Sequence, residues 1–271
     1  MPEGPEIRRI ADQLSAALLN KPLHEVWFAF PKLQSYSPQL HRSQITGIET
    51  RGKALLTHFS IGLSLYSHNQ LYGRWIISTP DDPITSTRSP RVRIAANNVT
   101  ATLYSASNIE LWPTNEVQSH PFLQRIGPDV LDKEFTSDQV AHRLLQPHFA
   151  RRNLGALLLD QSFFAGLGNY LRAEILWRAE LSPSSRPQDL TPEKISSLAH
   201  AILNIPRLSY ATRGLVADSA RIAPDPYQDG NFHFEVFKRE GMLCSRCGSV
   251  IQKATHNARP LFFCAHCQSD S

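Results

Sequence analysis

With 271 residues, 41% apolar and 19% charged, the chain is too long for one small core and too apolar to be intrinsically disordered, so two or three globular domains are expected. No apolar run approaches the ~18 residues of a membrane span, and the N-terminus carries Glu3, Glu6, Arg8 and Arg9 in place of an apolar leader. A cytosolic or nucleoid-associated protein is therefore expected. The net charge of +4 is mild but uneven: +3 over residues 1–125, −1 over 126–230 and +2 over 231–271. A nucleic-acid footprint would draw on both ends of the chain.

Pro5 and the stripe Ile7, Ile10, Ala11, Leu14 and Leu18 predict an amphipathic helix over about residues 5–19. The runs HEVWFAF, KALLTHF, LSLYSHN, GRWIIS, RVRIAA and VTATLYS follow. Short, alternating and separated by turn residues, they predict an antiparallel sandwich or barrel. TPDDP, with its Pro and Asp residues at 80–83, reads as a hairpin loop. The texture changes at PFLQRIGPDV (121–130), which reads as a linker. Residues 137–210 look helical. Thr191–Pro192–Glu193 is a helix start, and Gly155 to Ala179 reads as helix, turn and helix, broken at AGLGN. Residues 214–230 have no period and are rich in Pro, Asp and Gly, which predicts a connector.

All four cysteines fall in the last module. Cys244, Cys247, Cys264 and Cys267 form two C-x-x-C pairs separated by sixteen residues. The absence of cysteine elsewhere argues against a secreted disulfide scaffold, and the spacing fits four thiolates around one Zn2+. Four protein ligands leave no open position, so the metal is expected to be structural. It would fold a segment too short to bury a core. The hairpin HNARPLFF lies between the pairs and carries Arg259 near its tip.

The chain opens MPEGPE. Removal of Met1 would expose the secondary amine of Pro2, a nucleophile toward carbonyl and acetal carbons that can form an iminium. An α-amino group titrates near 7.7–8.0, and a helix N-terminus lowers that value further and attracts phosphate. Glu3 stands beside this amine, and Glu6 falls in the first helical turn. The same six residues would also serve as an ordinary helix cap.

Together these motifs resemble the bacterial formamidopyrimidine-DNA glycosylase and endonuclease VIII superfamily. MPEGPE stands at one end and the zinc-spaced cysteines at the other. Between them, ETRGKALL (49–56) carries Lys53, and DQSFFAGLGNYLRAEILW (160–177) is similar to a helix–two-turn–helix motif. NARP (257–260) is similar to the zinc-finger arginine. Gly4 and the triplet in HNQLYG (68–73) resemble the endonuclease VIII branch, which acts on oxidised pyrimidines, and not the purine branch. The resemblance covers the whole chain.

It implies an α+β multidomain fold: an N-terminal helix with an antiparallel β-sandwich (1–125), a helix–two-turn–helix domain (126–213), a connector (214–230) and a four-cysteine zinc finger (231–271). It implies a bifunctional glycosylase and abasic-site lyase acting on double-stranded DNA that carries a damaged base or an abasic site, and a monomer is the default expectation for such an enzyme. Pro2, Glu3, Lys53 and Arg259 would be catalytic. An enzyme that works on a stacked base must extrude it and fill the gap, and Gln70, Leu71 and Tyr72 would do so from a loop tip. Arg125, at the linker, and Asn169, at the glycine-rich start of a helix, would contact phosphate. Arg172 and Arg213 are further phosphate candidates. His68 has no paired ligand spacing and is expected to be an ordinary surface or core residue.

Overall fold

The computed structural model describes residues 2–83, 86–212 and 232–269. Contacts divide the chain into two compact units, Met1–Arg125 and Ile126–Ser271.

The first unit opens with α1 (Gly4–Leu18), which buries Ile7, Ala11, Leu14 and Leu18 along one face. Glu3 is its N-cap, and Pro5 sits in the first turn, where an amide would have no helical partner. Next come β1 (Leu23–Phe28) and two helical turns, α2 (Pro31–Gln34) and α3 (Ser37–Leu40). The remaining strands are β2 (Ile45–Arg51), β3 (Ala54–Phe59), β4 (Leu63–His68), β5 (Arg74–Ser78), β6 (Pro90–Ala96), β7 (Val99–Tyr104) and β8 (Asn108–Pro113). They make two antiparallel sheets, ordered β1-β6-β7-β5 and β2-β3-β4-β8. Leu14 of α1, Phe28, Val92 and Leu103 of one sheet, and Leu55, Phe59 and Leu65 of the other share a single apolar cluster. The reverse face of β3 and β4, with Ala54, Leu56 and Tyr66, is covered by Val117, Phe122 and Leu123. His120 stacks on Tyr66 with ring centroids 4.0 Å apart. This covering segment ends in α4 (Pro121–Arg125). Burial on both faces explains why KALLTHF is nearly continuous in apolar residues.

β2 and β8 lie outside the expected set. In β2 a register shift between Ile45 and Gly47 breaks the alternation that marks a strand. β8 ends in a proline. TPDDP closes no hairpin, because β5 pairs with β7 and β6 pairs with β1 and β7. Strands adjacent in sequence are here not adjacent in the sheet, and Thr79 and Asp82 form only a local bridge.

The second unit contains α5 (Ser137–Leu144), α6 (Pro147–Ala150), α7 (Leu154–Leu157), α8 (Asn169–Arg178), α9 (Pro192–Thr212), β9 (Gln252–His256) and β10 (Arg259–Phe263). α5 starts with a reciprocal capping box. The Gln139 amide N–H donates to Thr136 Oγ1 at 3.3 Å, and the Thr136 amide N–H donates to Gln139 Oε1 at 2.9 Å. α9 begins directly after Thr191, as expected. α8 is buried on every side from Tyr170 to Trp177. Tyr170, Leu171, Ile175 and Leu176 join the helical core, while Ala173 and Trp177 pack with Val236, Ile251 and Leu261 of the cysteine module. Arg213 and the connector expected at 214–230 lie outside the described residues.

Leu14 seals α1 onto both sheets. Leu14→Ala is expected to destabilise the first unit by about 2–5 kcal/mol, read as a lower midpoint in urea unfolding.

Candidate functional site

In the first unit the residues singled out by sequence gather at one end. Leu19 bridges Ile45, and the Asn20 N–H donates to the Ile45 carbonyl at 2.9 Å, so α1 finishes where β2 begins. α1 packs along β2. Fifteen helical residues span about 22 Å and seven strand residues about 23 Å. The start of α1 therefore lies at the far end of β2, where Gly52 and Lys53 turn the chain into β3. Ala54 pairs with His68 across β3 and β4, which brings the 68–73 loop to the same end.

Each group there is held by identifiable contacts. Glu3 is only 2% exposed. Its backbone N–H donates to Glu6 Oε2 at 2.9 Å, and Arg9 Nη2 donates to Glu6 Oε1 at 2.9 Å. Glu6 thus orients the tip that carries Pro2. Lys53 is not the first residue of a strand but the second residue of a two-residue turn between the paired Arg51 and Ala54. Gly52, at φ +60°, supplies the positive φ that this tight turn needs. Lys53 is 6% exposed, so it is no surface lysine. His68 lies beside it. Burial and then the Lys53 charge push the imidazole down to about 4, so the ring is neutral at physiological pH. Its Nδ1 accepts the Gln70 N–H at 3.0 Å, tying the neighbourhood of the lysine to the loop.

That loop is a tight turn. The Gly73 N–H donates to the Asn69 carbonyl at 2.7 Å, and a Cβ at Gly73 would lie 2.4 Å from the same oxygen. Gln70 adopts φ +51°. Leu71 and Tyr72 are 57% and 68% exposed, so they project from the loop and do not fill a hairpin core. Ser107 Oγ donates to Gln70 Oε1 at 2.6 Å, and Arg88 Nη1 donates to the Tyr72 carbonyl at 3.0 Å. Arg125 is the exposed last residue of α4, with Nε donating to the Pro121 carbonyl at 2.9 Å.

In the second unit Gly168, not Asn169, is the N-cap of α8, and Asn169 is its first residue. Asn169 Nδ2 donates to the Pro260 carbonyl at 2.8 Å, and Asn169 Oδ1 accepts from Arg172 Nη2 at 2.7 Å. Arg172 is fully buried, which overturns its reading as a phosphate contact. Its guanidinium faces the carbonyls of Gly155, His256 and Pro260. Arg259 opens β10 opposite His256, across a turn of Asn257 and Ala258 at φ +52° and +57°. Two positive φ values match a type I′ hairpin. Arg259 itself is exposed.

The Sγ atoms of Cys244, Cys247, Cys264 and Cys267 all lie within 4.8 Å of one another. Cys244–Cys267 and Cys247–Cys264 are 3.9 and 3.4 Å apart. Four thiolates about 2.3 Å from one zinc would stand about 3.8 Å apart, so the set fits a closed, structural Zn2+ site. Trp177 Nε1 donates to Cys244 Sγ at 3.4 Å, and Arg246 lies over the Trp177 ring at 4.2 Å. Sequence reasoning missed Glu174. Fully buried on α8, its carboxyl accepts the N–H groups of Glu235, Val236 and Phe237 at 2.9, 3.1 and 2.8 Å. Burial outweighs these donors and pushes it up to about 7. The signal available was the weak apolar contrast around NYLRAEILW, which marks a helix enclosed on all sides.

Three family models match in order along the chain: the formamidopyrimidine-DNA glycosylase N-terminal domain over residues 1–106, the formamidopyrimidine-DNA glycosylase H2TH domain over 126–216, and the zinc finger found in FPG and IleRS over 243–269. Among curated proteins, Endonuclease 8 of Escherichia coli is 54% identical over 269 residues, 99% of this chain and all of that protein. Endonuclease 8 of Salmonella arizonae is 53% identical over the same length and coverage. Among solved structures, wild-type Lactococcus lactis FPG in complex with DNA containing an oxidised pyrimidine superposes with a TM-score of 0.81 at 23% identity. The match covers 99% of this chain and 100% of that one. The same protein in complex with abasic-site DNA matches equally well. At that identity the likeness establishes the fold alone.

His68 makes the first unit acid-sensitive. Its folded pKa is lowered from 6.5 to about 4, so its contribution to stability is complete above pH 6.5 and is lost as the pH falls toward 4. His68→Gln is expected to flatten that part of the unfolding-versus-pH curve. An unchanged slope would assign it to another group. Chelating the zinc is expected to unfold residues 243–269, seen as rapid amide exchange there, while the first unit keeps its protection.

Proposed function

The chain belongs to the formamidopyrimidine-DNA glycosylase and endonuclease 8 family, and from that premise we propose that it is a base-excision-repair enzyme that removes oxidised pyrimidines from double-stranded DNA and cleaves the resulting abasic site. The observation that carries this reading is the gathering of the Pro2–Glu3 tip, the buried Lys53 turn and the exposed Leu71–Tyr72 loop at one end of the first unit.

With Met1 removed, the Pro2 amine attacks C1′ and the damaged base leaves. The sugar ring then opens at the C1′–O4′ bond, and the iminium this leaves at C1′ draws electrons from the sugar. C2′ then loses a proton and the 3′ phosphate departs, and a second proton loss releases the 5′ phosphate. Glu3 is buried and held at the helix start, where it protonates the ring oxygen as the sugar opens and shuttles protons afterwards. Lys53 presents an ammonium to the sugar and phosphate and assists base release. The neutral His68 beside it adds no second positive charge. Leu71 wedges into the gap left by the extruded nucleotide, Tyr72 stacks, and Gln70 hydrogen-bonds base edges.

Arg125, Asn169 and Arg259 bind phosphate, and Arg259 aids the second elimination electrostatically, since a guanidinium does not readily lose its proton. Zinc supplies no chemistry beyond holding the hairpin that bears Arg259. We divide the chain into a catalytic domain (1–125), a helix–two-turn–helix domain (126–213), residues 214–230 and a zinc finger (231–271), acting as a monomer. A DNA substrate places its work at the nucleoid of a bacterial cytoplasm. Among the described residues no helix is long and apolar enough to cross a membrane.

Borohydride is expected to trap a covalent adduct on a duplex with one thymine glycol, mapping to Pro2 by mass spectrometry. Lys53→Ala is expected to slow base release by about a hundredfold or more. An adduct formed only on an 8-oxoguanine duplex would keep the chemistry and overturn the pyrimidine assignment. No adduct on either duplex, with Met1 shown to be absent, would overturn the amine mechanism.

A further inference from the structure

Arg172 is the largest fully buried side chain among the described residues, and nothing in the chemistry proposed above uses it. Its guanidinium is placed where it grips both sides of one hairpin turn. Arg172 Nη1 donates to the His256 carbonyl at 3.4 Å, on the strand entering the turn, and to the Gly155 carbonyl at 3.2 Å. Arg172 Nη2 donates to the Pro260 carbonyl at 3.3 Å, on the strand leaving it, and to Asn169 Oδ1 at 2.7 Å. Asn169 completes the set by donating to the same Pro260 carbonyl. Arg259 lies between the two gripped carbonyls, with its backbone fixed on either side and its side chain exposed.

The fit around this clamp is close. A Cβ at Gly155 would lie 2.6 Å from His256 Cε1, so the hairpin rests directly on the α7 backbone. A planar guanidinium with five N–H donors can reach several carbonyls in one plane, which a lysine ammonium cannot. Burying such a charge is costly unless hydrogen-bond acceptors surround it, and four oxygens, from Gly155, His256, Pro260 and Asn169, accept from Nη1 and Nη2 here.

We propose that Arg172 is a positioning residue that sets Arg259 and Asn169 in register as one phosphate-binding pair. The inference rests on the reading of Arg259 and Asn169 as DNA contacts. It assigns to the interior of the helix–two-turn–helix domain the control of a residue carried by the zinc finger.

The test uses zinc-loaded, full-length protein, a duplex with a non-cleavable abasic-site analogue for binding and a duplex with a natural abasic site for cleavage. Arg259→Ala is expected to weaken binding about tenfold, the scale of one charge-assisted contact, and to lower the share of product that passes through the second elimination. Arg172→Ala and Arg172→Lys are expected to weaken binding at least as much, because Asn169 is released as well, and Arg172→Ala with Arg259→Ala to be no worse than Arg172→Ala alone. Amides over 252–263 should exchange faster in both Arg172 variants while the zinc content stays at one per chain. If Arg259→Ala changes nothing, the reading of Arg259 fails. If Arg259→Ala weakens binding but the Arg172 losses multiply with it, or the hairpin exchanges at the wild-type rate, the positioning role is overturned. Should Arg172→Ala lose its zinc and unfold, Arg172→Lys carries the test, and wild-type binding and exchange in that variant overturn the proposal.

Discussion

The second unit depends on one constraint: a helix enclosed on every side must answer the backbone groups of what it encloses. α8 carries Arg172 and Glu174 two residues apart, and both are buried. The arginine offers donors to carbonyls of α7 and the β9–β10 hairpin. The glutamate offers lone pairs to three successive amides at 235–237. Neither charge could stay inside without partners, because a lone buried charge costs several kcal/mol. The two side chains therefore dictate where the cysteine module sits on the helix. Apolar contacts through Ala173 and Trp177 supply area, and the charges supply register.

The first unit meets a different constraint. The chemistry proposed for it stands at the end of a sandwich, where strands turn and the interior stops. A two-residue turn with glycine first makes that end compact enough for Lys53 to be buried within it. The neighbouring imidazole yields its proton to burial and to the lysine charge, so the pair carries one positive charge and not two. The next turn, closed by Gly73 on Asn69, holds Leu71 and Tyr72 out in solvent. Two exposed apolar side chains on a rigid loop are costly for a free protein. They become useful where a partner has a gap to fill.

In the proposed reading the two units divide the work as their materials allow. A sheet end offers short turns and partly buried charges, which suits proton transfer. A helix start and a type I′ hairpin offer fixed backbone groups and an outward arginine, which suits phosphate. Zinc stands in for the core that residues 243–269 are too few to build.

Much of this was legible in the residues themselves. The stripe of α1, the start of α9 at Thr191–Pro192, the cysteine spacing and the strand runs from β3 to β7 all follow from local periodicity and capping, which depend on neighbours in sequence. MPEGPE, Lys53, the Gln-Leu-Tyr triplet and NARP point to the proposed site because their residue types carry chemistry wherever they lie. Tertiary structure alone decided what depends on distant partners. β2 escaped notice because its bulge erases alternation, and TPDDP misled because strand order is not sequence order. That the Lys53 side chain is buried was decided only by the packing of the first unit. Arg172 reads as a phosphate ligand until α7 and a hairpin some 85 residues on in sequence claim its donors. Burial is a property of the packed whole, and it separated the charges that face inward from those left for DNA.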